Sequence, residues 1–436
     1  MLNQAAFAPA RRPRSWGPTY LMTWVLTVIA PLAAAAQIAS SQAAEAPAGP
    51  QTLAQALDAA WALTPAAAAT PNRQAQAQAE LDGARALTPG PAALSVSHLS
   101  DRLNSNLGRR EWEVEVATPL WLPGQQAARQ ALAQRTAEAL DAHTAAQRLQ
   151  LAADVREAWW AVAATRAAAE LARQRLASAE QLEQAVQRRY KTGDLARLDA
   201  NLAQTERLQA AADALDAERA EQQARQTYQT LVGAPPPNVL PPEAQTADDS
   251  AAPTAQPAVP SPHPQLRALQ ASIDVARSQL AWVDANRRDA PELALRWNNQ
   301  RGDAITPYDQ GVGVKLTIPL SSDARTRQSG AAARAELAQA EAEWAAAQRR
   351  TERDAARAQA DWQAARRQVE LARERSRATA DNLDLAQRAF GLGEVDLPTL
   401  LRARAAAQEA AVWLQRQEIS RDQALSRLHQ AQGRLP

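Results

Sequence analysis

The sequence has no cysteine, only 18 aromatic side chains and only two lysines in 436 residues. Without cysteine, disulfides, thiolate metal sites and a cysteine-linked lipid anchor are excluded. So few aromatic residues are poorly suited to one thick globular core, and alanine carries much of the apolar content. This composition favours long helices that pack closely through small side chains.

An excess of charge of either sign is also missing. The chain has 48 Lys and Arg residues against 47 Asp and Glu residues, and removal of the leader predicted below leaves a net charge of −2. The charge balance therefore gives no indication of binding to nucleic acid or to an anionic membrane surface.

Long hydrophobic runs are confined to the N-terminus. Arg11, Arg12 and Arg14 precede an apolar run from Leu21 to Ala36, and small residues follow it. This order predicts a secretory signal peptide over residues 1–43; the alternative, a membrane anchor, would need about 20 apolar residues. No later stretch is apolar for long enough to be a membrane helix, so the mature chain could cross a membrane only with strands.

The chain contains a duplication with an offset of 200 residues. The duplication predicts two copies of one structural unit, residues 44–233 and 265–436. The connector between them, residues 234–264, has ten prolines and is expected to be extended, with no core of its own. Prolines and glycines, which set backbone geometry, coincide under the shift: Pro91 with Pro291, Pro119 with Pro319, Gly193 with Gly393, and Gly233 with Gly433.

Each copy is expected to begin with a helix, from Leu53 to about Leu87 in the first and from Gln265 to about Arg288 in the second. Pro65 and Pro71 should break or kink the first of these helices.

Two segments with alternating apolar and polar residues follow in each copy. Period-two alternation is typical of a strand with one apolar and one wet face. The alternation predicts two β-hairpins, formed by residues 91–100 with 110–120 and by residues 291–301 with 310–320.

After each hairpin the period becomes helical for more than sixty residues, about 124–189 and 324–389. A heptad seam of small and apolar residues occupies the same positions in both copies, which indicates coiled-coil packing of helices roughly 100 Å long. Gly193 and Gly393 would end these helices in positive φ and reverse the chain into return helices. The long helical hairpins are therefore expected over about 124–231 and 324–433.

The predicted fold is mainly α with a small β part. Four strands are too few to close a barrel, because even small barrels need about eight. If the apolar strand faces meet lipid, open sheet edges are forbidden, so several chains must pool their strands.

These features together resemble the TolC-type outer-membrane efflux proteins. The residues that carry the resemblance include the strand ends Thr118-Pro119-Leu120 and Ile318-Pro319-Leu320 and the helical turns at Gly193 and Gly393. The resemblance implies a homotrimer in the outer membrane of a Gram-negative bacterium. Three chains would form a 12-stranded transmembrane β-barrel continuous with a periplasmic α-helical barrel. The implied function is a passive exit duct that docks onto an inner-membrane pump and a periplasmic adaptor, also called a membrane fusion protein.

Under this resemblance the two strand faces have different roles. A soluble two-layer sheet with one solvated face is the alternative. The expected lipid-facing residues are Trp112, Val114, Val116, Val312, Val314, Leu316 and Ile318, and the expected lumen-facing residues are Glu111, Glu113, Glu115, Arg296 and Lys315.

The helical tips are expected to close the duct and to contact the adaptor. The acids there could form a carboxylate ring that attracts cations, or they could be caps and first-turn charges of the return helices. Some family members carry acids six and nine residues after the second glycine, where this chain has Thr399 and Arg402. The tip residues are Tyr190, Gly193, Asp194, Asp199, Phe390, Gly393, Glu394 and Asp396.

No catalytic motif, cofactor site or metal-ligand spacing is found, and the four histidines are scattered. An enzyme is therefore not expected. The exported compound stays open between an organic molecule and a metal ion, the latter being the cargo of the heavy-metal, CzcC-like branch of the family. The rival interpretations are a periplasmic adaptor and an exported coiled-coil structural protein without a pore.

Overall fold

The computed structural model describes residues 50–243, 263–320 and 323–436. The predicted signal peptide and connector residues 244–262 lie outside these ranges. The described chain is mostly helical with one small antiparallel sheet, which confirms the predicted fold class. The elements are α1 (Leu53–Ala62), α2 (Pro65–Ala84), β1 (Ala93–Ser100), β2 (Arg110–Pro119), α3 (Gln125–Lys191), α4 (Arg197–Val232), α5 (Pro264–Ala285), β3 (Glu292–Arg301), β4 (Asp309–Thr317), α6 (Asp323–Leu392) and α7 (Leu397–Ala431).

The first predicted helix is two helices, α1 and α2. Pro65 occupies the first turn of α2, where its missing N–H costs nothing, and the Thr64 hydroxyl accepts a hydrogen bond from the Ala67 N–H at 3.2 Å. Pro71 lies inside α2 without ending it. The break predicted from the prolines therefore occurs at Pro65 alone.

The long helices α3 and α6 contain 67 and 70 residues, which corresponds to roughly 100 Å each. Each packs against its return helix, α4 or α7. Several heptad positions are buried, among them Val155, Val162 and Ala169 in the first copy. Their counterparts 200 residues later, Ala355, Trp362 and Val369, are buried as well.

The sheet has the order β1-β2-β3-β4, with every neighbouring pair antiparallel. Both predicted hairpins are present, and β2 also pairs with β3. This third pairing joins the two copies in one sheet. Strands β1 and β4 are its edges.

The start of the connector packs on α3. Pro236 and Pro237 are buried, and the Arg166 guanidinium donates hydrogen bonds to the Pro237 and Asn238 carbonyls at 2.8 and 2.7 Å. The first ten residues of the connector, 234–243, are therefore held against the first repeat, a contact that the sequence analysis did not predict.

Four polar side chains, the connector cluster (Arg156, Glu243, His429 and Gln430), join α3, the connector and α7. The Arg156 side chain is 2% exposed and donates to both Glu243 carboxylate oxygens, at 2.7 and 3.1 Å. His429 Nδ1 lies 2.7 Å from Glu243 Oε2, and Gln430 Oε1 accepts from Arg156. Burial raises the pKa of Glu243, but the hydrogen bonds from His429 and Arg156 outweigh it and lower the pKa to about 2.

Candidate functional site

The four strands sort their side chains into an apolar face and a charged face. The register places Val114 beside Val96 and Trp297, and Trp297 beside Val312. Directly paired residues lie on the same face of a sheet. The apolar face consists of Leu94, Val96, Trp112, Val114, Val116, Leu293, Leu295, Trp297, Val312, Val314 and Leu316.

Every expected lipid-facing residue except Ile318 lies on this apolar face. Ile318 follows Thr317, the last residue of β4. Five further members of the face lie outside the expected set, although alternation in β1 and β3 is the sequence signal that finds them. These five are Leu94, Val96, Leu293, Leu295 and Trp297.

The charged face contains all five expected lumen-facing residues, and each has an ion-pair partner; the partner of Glu111 is Arg109, at 3.9 Å. Arg296 lies 3.1 Å from Glu113, and Lys315 lies 3.2 Å from Glu115. Gly311 leaves room on this face, because a Cβ there would come within 2.4 Å of the Asn298 Oδ1 atom.

The apolar face is exposed in the single chain. Val312 and Val314 are each 74% exposed, whereas the Glu115 side chain is 14% exposed. Soluble proteins rarely expose large contiguous apolar patches, and those that exist mark interaction sites. The apolar face therefore needs an apolar environment that the single chain does not provide.

The two helical tips have the same backbone geometry. Gly193 and Gly393 have φ values of +85° and +78°. The N–H groups of Gly193 and Asp194 donate to carbonyls of the last helical turn at 3.1 and 2.9 Å, and those of Gly393 and Glu394 do so at 3.2 and 2.9 Å. This is the glycine helix end expected from the sequence.

The tips also pack against each other. One apolar cluster contains Val186 and Ala203 from the first hairpin together with Leu397 and Leu400 from the second. Across the same contact the Arg189 guanidinium lies 5.1 Å from the centre of the half-buried Phe390 ring. Tyr190, the counterpart of Phe390, is 39% exposed.

Three of the four tip acids accept local hydrogen bonds. Asp396 caps α7 by accepting from the Thr399 N–H at 3.0 Å. Hydrogen bonds from the Thr399 side chain, and then from its N–H, lower the pKa of Asp396. Asp199 accepts from the Ala196 N–H at 3.2 Å at the start of α4, and Asp194 accepts from the Thr192 hydroxyl at 2.9 Å. Of the two readings of these acids, this geometry favours helix caps at Asp199 and Asp396.

None of the described helices has the length and hydrophobicity that a membrane-spanning helix requires. Within residues 50–243, 263–320 and 323–436, no three His, Asp or Glu side chains gather as metal ligands would.

Comparisons with known proteins give a family match for the second half of the chain. Residues 261–434 match the model of the family described as "Outer membrane efflux protein". No curated protein matches the chain in sequence.

The fold is similar to solved membrane-protein structures over most of the chain. A membrane protein from Pseudomonas aeruginosa is 20% identical, with a TM-score of 0.70, and 88% of this chain covers 90% of it. The outer membrane protein VceC from Vibrio cholerae is 16% identical, with a TM-score of 0.70 and coverages of 87% and 96%. The open state of the MtrE outer membrane channel from Neisseria gonorrhoeae is 19% identical, with a TM-score of 0.68 and coverages of 88% and 89%. The chain therefore has the fold of these outer-membrane proteins, and its second half has the sequence pattern of outer membrane efflux proteins.

Proposed function

We propose that the chain is the outer-membrane exit duct of a tripartite efflux system. The observation that carries the proposal is the exposed apolar face of a four-stranded sheet attached to two helical hairpins about 100 Å long. In this arrangement the sheet spans the outer membrane and the helices extend into the periplasm. The duct is passive, and a pump in the inner membrane, joined through a periplasmic adaptor, supplies the energy.

The two unpaired sheet edges argue for a homotrimer. In lipid, β1 and β4 cannot leave their backbone N–H and C=O groups unpaired. Pairing β4 of one subunit with β1 of the next is a head-to-tail contact, and such contacts form rings when the rotation closes. Three copies give twelve strands, enough for a barrel with an open lumen lined by the charged face.

The helices offer a matching subunit contact. Helix α4 packs mainly against α3 and α1, and α6 packs mainly against α7 and α5. Each has exposed leucines on its remaining surface: Leu208 and Leu215 on α4 are 53% and 68% exposed, and Leu371 and Leu385 on α6 are 59% and 53% exposed. We propose that α4 of one subunit packs against α6 of the next through these leucines.

The test is whether the protein purified from outer membranes is a heat-modifiable trimer that conducts ions in planar bilayers. We expect both. An adaptor or a pore-less coiled-coil protein would give neither a detergent-resistant trimer nor channels, so a stable soluble monomer in the periplasmic extract would contradict the proposal.

Charges at the proposed helical contact should weaken the trimer. Burying a leucine of each helix between subunits contributes about 1.5–3 kcal/mol per side chain. The double variant Leu215→Glu, Leu371→Glu should therefore lower the melting temperature of the trimer. It should also raise the fraction of monomer on unheated gels. Ala220→Glu is the matched control, because Ala220 is exposed but lies about 140° round α4 from Leu215. Equal loss of trimer in control and variant would remove α4 from the interface.

Valine at the tip glycines should impair export while leaving the trimer intact. Gly193 and Gly393 adopt positive φ, where a β-branched residue costs about 1–3 kcal/mol, and no atom lies within 4 Å of an added Cβ, so the effect is purely conformational. We expect Gly393→Val to reduce export severalfold in a complementation assay. Gly391→Val is the control. Gly391 lies in α6, and no atom lies within 4 Å of an added Cβ. Valine is a better helix former than glycine, so this substitution should not disturb the helix. Loss of the trimer itself would locate the defect in folding rather than in the tip.

A further inference from the structure

Arg110 and Arg301 form a like-charge pair at the end of the sheet that is farthest from the helices. They are direct cross-strand partners, and the β2–β3 ladder ends with them. Partners of this kind have Cβ atoms about 5 Å apart, and like charges at that distance are destabilising. A third, negatively charged group would turn this repulsion into a binding site.

No carboxylate of the described residues forms an ion pair with either guanidinium. Arg301 Nε donates to the Gly108 carbonyl at 3.1 Å, and its guanidinium lies 5.0 Å from the centre of the Tyr308 ring. These contacts fix the Arg301 side chain and leave its two terminal nitrogens without a hydrogen-bond partner in the described chain. Arg110 is exposed, and its side chain makes no hydrogen bond to the described residues.

The acids of the two hairpin loops are engaged in their own turns. Asp101 accepts from the Leu107 N–H at 2.7 Å and from the Ser105 hydroxyl at 3.1 Å. Asp303 accepts from the Thr306 N–H at 2.7 Å and from the Ile305 N–H at 2.9 Å. Hydrogen bonds from Thr306 and Ile305 account for most of the lowering of the Asp303 pKa, and the charge of Arg301 contributes least.

The pair lies on the apolar face. Alternate residues of a strand share a face, so Arg110 is followed on that face by Trp112 and then by Val114. The cross-strand partner of Trp112 on β1 is His98, and the two rings stack with their centres 4.2 Å apart. Along about 13 Å of strand the face thus changes from apolar, through aromatic, to cationic. The same order of layers is met on leaving a bilayer core: acyl chains, the interfacial belt favoured by Trp, and the headgroups.

A cavity of about 360 Å³ opens between the strand ends. Arg109, Arg110, Arg301 and Thr306 line it, together with the acids Glu111 and Asp309. A phosphate group needs far less space, and guanidinium groups bind phosphate oxygens through paired hydrogen bonds.

We propose that Arg110 and Arg301 together bind a phosphate of a lipid headgroup in the outer leaflet of the outer membrane. The inference rests on the proposed function, because the lipid reaches the pair only if the apolar face lies in that membrane. The lipid's acyl chains would continue along the apolar face, and its phosphate would neutralise the arginine pair.

The test measures lipid binding to the full-length trimer in detergent by native mass spectrometry. The probes are lipid A with its phosphates, dephosphorylated lipid A and inorganic phosphate. We expect the double variant Arg110→Gln, Arg301→Gln to bind phosphorylated lipid A at least about tenfold more weakly than the wild type. Dephosphorylated lipid A should bind equally weakly to both. The Arg110→Lys, Arg301→Lys variant should retain most of the binding, and Arg102→Gln, in the β1–β2 loop outside the cavity, should be unchanged.

Thermal melting gives a second measurement, in which the glutamine double variant should not be weaker than the wild type when lipid is absent. Without lipid, the glutamine double variant should melt at the same temperature as the wild type or higher, because a repulsion is removed. With phosphorylated lipid A, the wild type should gain stability and the variant should not.

Equal binding of phosphorylated lipid A to an intact glutamine variant would overturn the lipid site alone. Displacement of the lipid by low concentrations of inorganic phosphate would overturn the choice of a lipid, since the pair would then be a site for a free anion. Absence of a trimer in the wild type would overturn both this inference and the proposed function.

Discussion

Val314→Arg should abolish insertion of the chain into the outer membrane, whereas Thr317→Arg, on the other face of the same strand, should leave insertion intact. Val314 lies on the apolar face and is 74% exposed in the single chain. Thr317 lies on the charged face, and its direct cross-strand partner is Glu292, so an arginine added there would face an acid. A lipid-facing arginine near the bilayer centre costs about 2–4 kcal/mol, and a trimer would carry three of them.

Insertion is measured as the heat-modifiable trimer in outer-membrane fractions. Val116→Arg is a second test on the apolar face. Because all three variants carry the same added charge, a general effect of charge on secretion or folding would act on each of them. Equal loss at both faces would contradict the assignment of the apolar face to lipid.

Glu243→Gln should destabilise the long helical hairpins by about 3–5 kcal/mol, although residue 243 lies outside both repeats. The substitution leaves the Arg156 guanidinium, 2% exposed, without a counter-charge, and an uncompensated buried charge is among the most costly single defects. Arg156→Met together with Glu243→Met should recover much of the loss, since both charges are then removed. The measurement is urea unfolding followed by the helical circular dichroism signal, at one protein concentration because the assembly is oligomeric.

The matched control breaks an exposed ion pair between equivalent groups. Glu409→Gln removes the carboxylate partner of Arg375, and the two side chains are 69% and 43% exposed. Such pairs contribute about 0.2–1 kcal/mol, so the control should change the unfolding midpoint little. A similar small effect of Glu243→Gln would show that the connector cluster does not hold the two halves together.

Protonation of the Glu243 carboxylate should also make the free energy of unfolding fall as the pH is lowered. The pKa of Glu243 is about 2 in the folded chain against an ordinary value of 4.5, so the folded state favours the ionised form. Its stabilising contribution is complete above pH 4.5 and is lost as the pH falls towards 2. In Glu243→Gln this part of the acid sensitivity should disappear.

Much of the fold follows from local sequence patterns. Period-two alternation predicted the two hairpins, and the heptad seam predicted part of the buried positions of α3 and α6, among them Val155 and Val369. Gly193 and Gly393 marked both helix ends because their positive φ is a local backbone requirement. The duplication strengthened each of these predictions, since every signal occurred twice.

Other features depend on contacts that no local pattern reveals. The pairing of β2 with β3 joins strands about 180 residues apart, for example Val114 with Trp297. The connector cluster brings together Arg156, Glu243 and His429, and a proline-rich segment gave no sign that its single glutamate is buried between two helices. Pro71 was expected to disturb a helix that in fact continues through it.

The ion pairs on the charged face bear on what could pass through the assembly. Each subunit would line the barrel with Glu111, Glu113, Glu115, Arg296 and Lys315, three acids and two bases that largely cancel where Arg296 meets Glu113 and Lys315 meets Glu115. A permeating solute would meet alternating positive and negative groups at short range and only a small net negative potential at long range. Such a wall retains neither anions nor cations strongly, so the choice of cargo would be left to the pump that loads it.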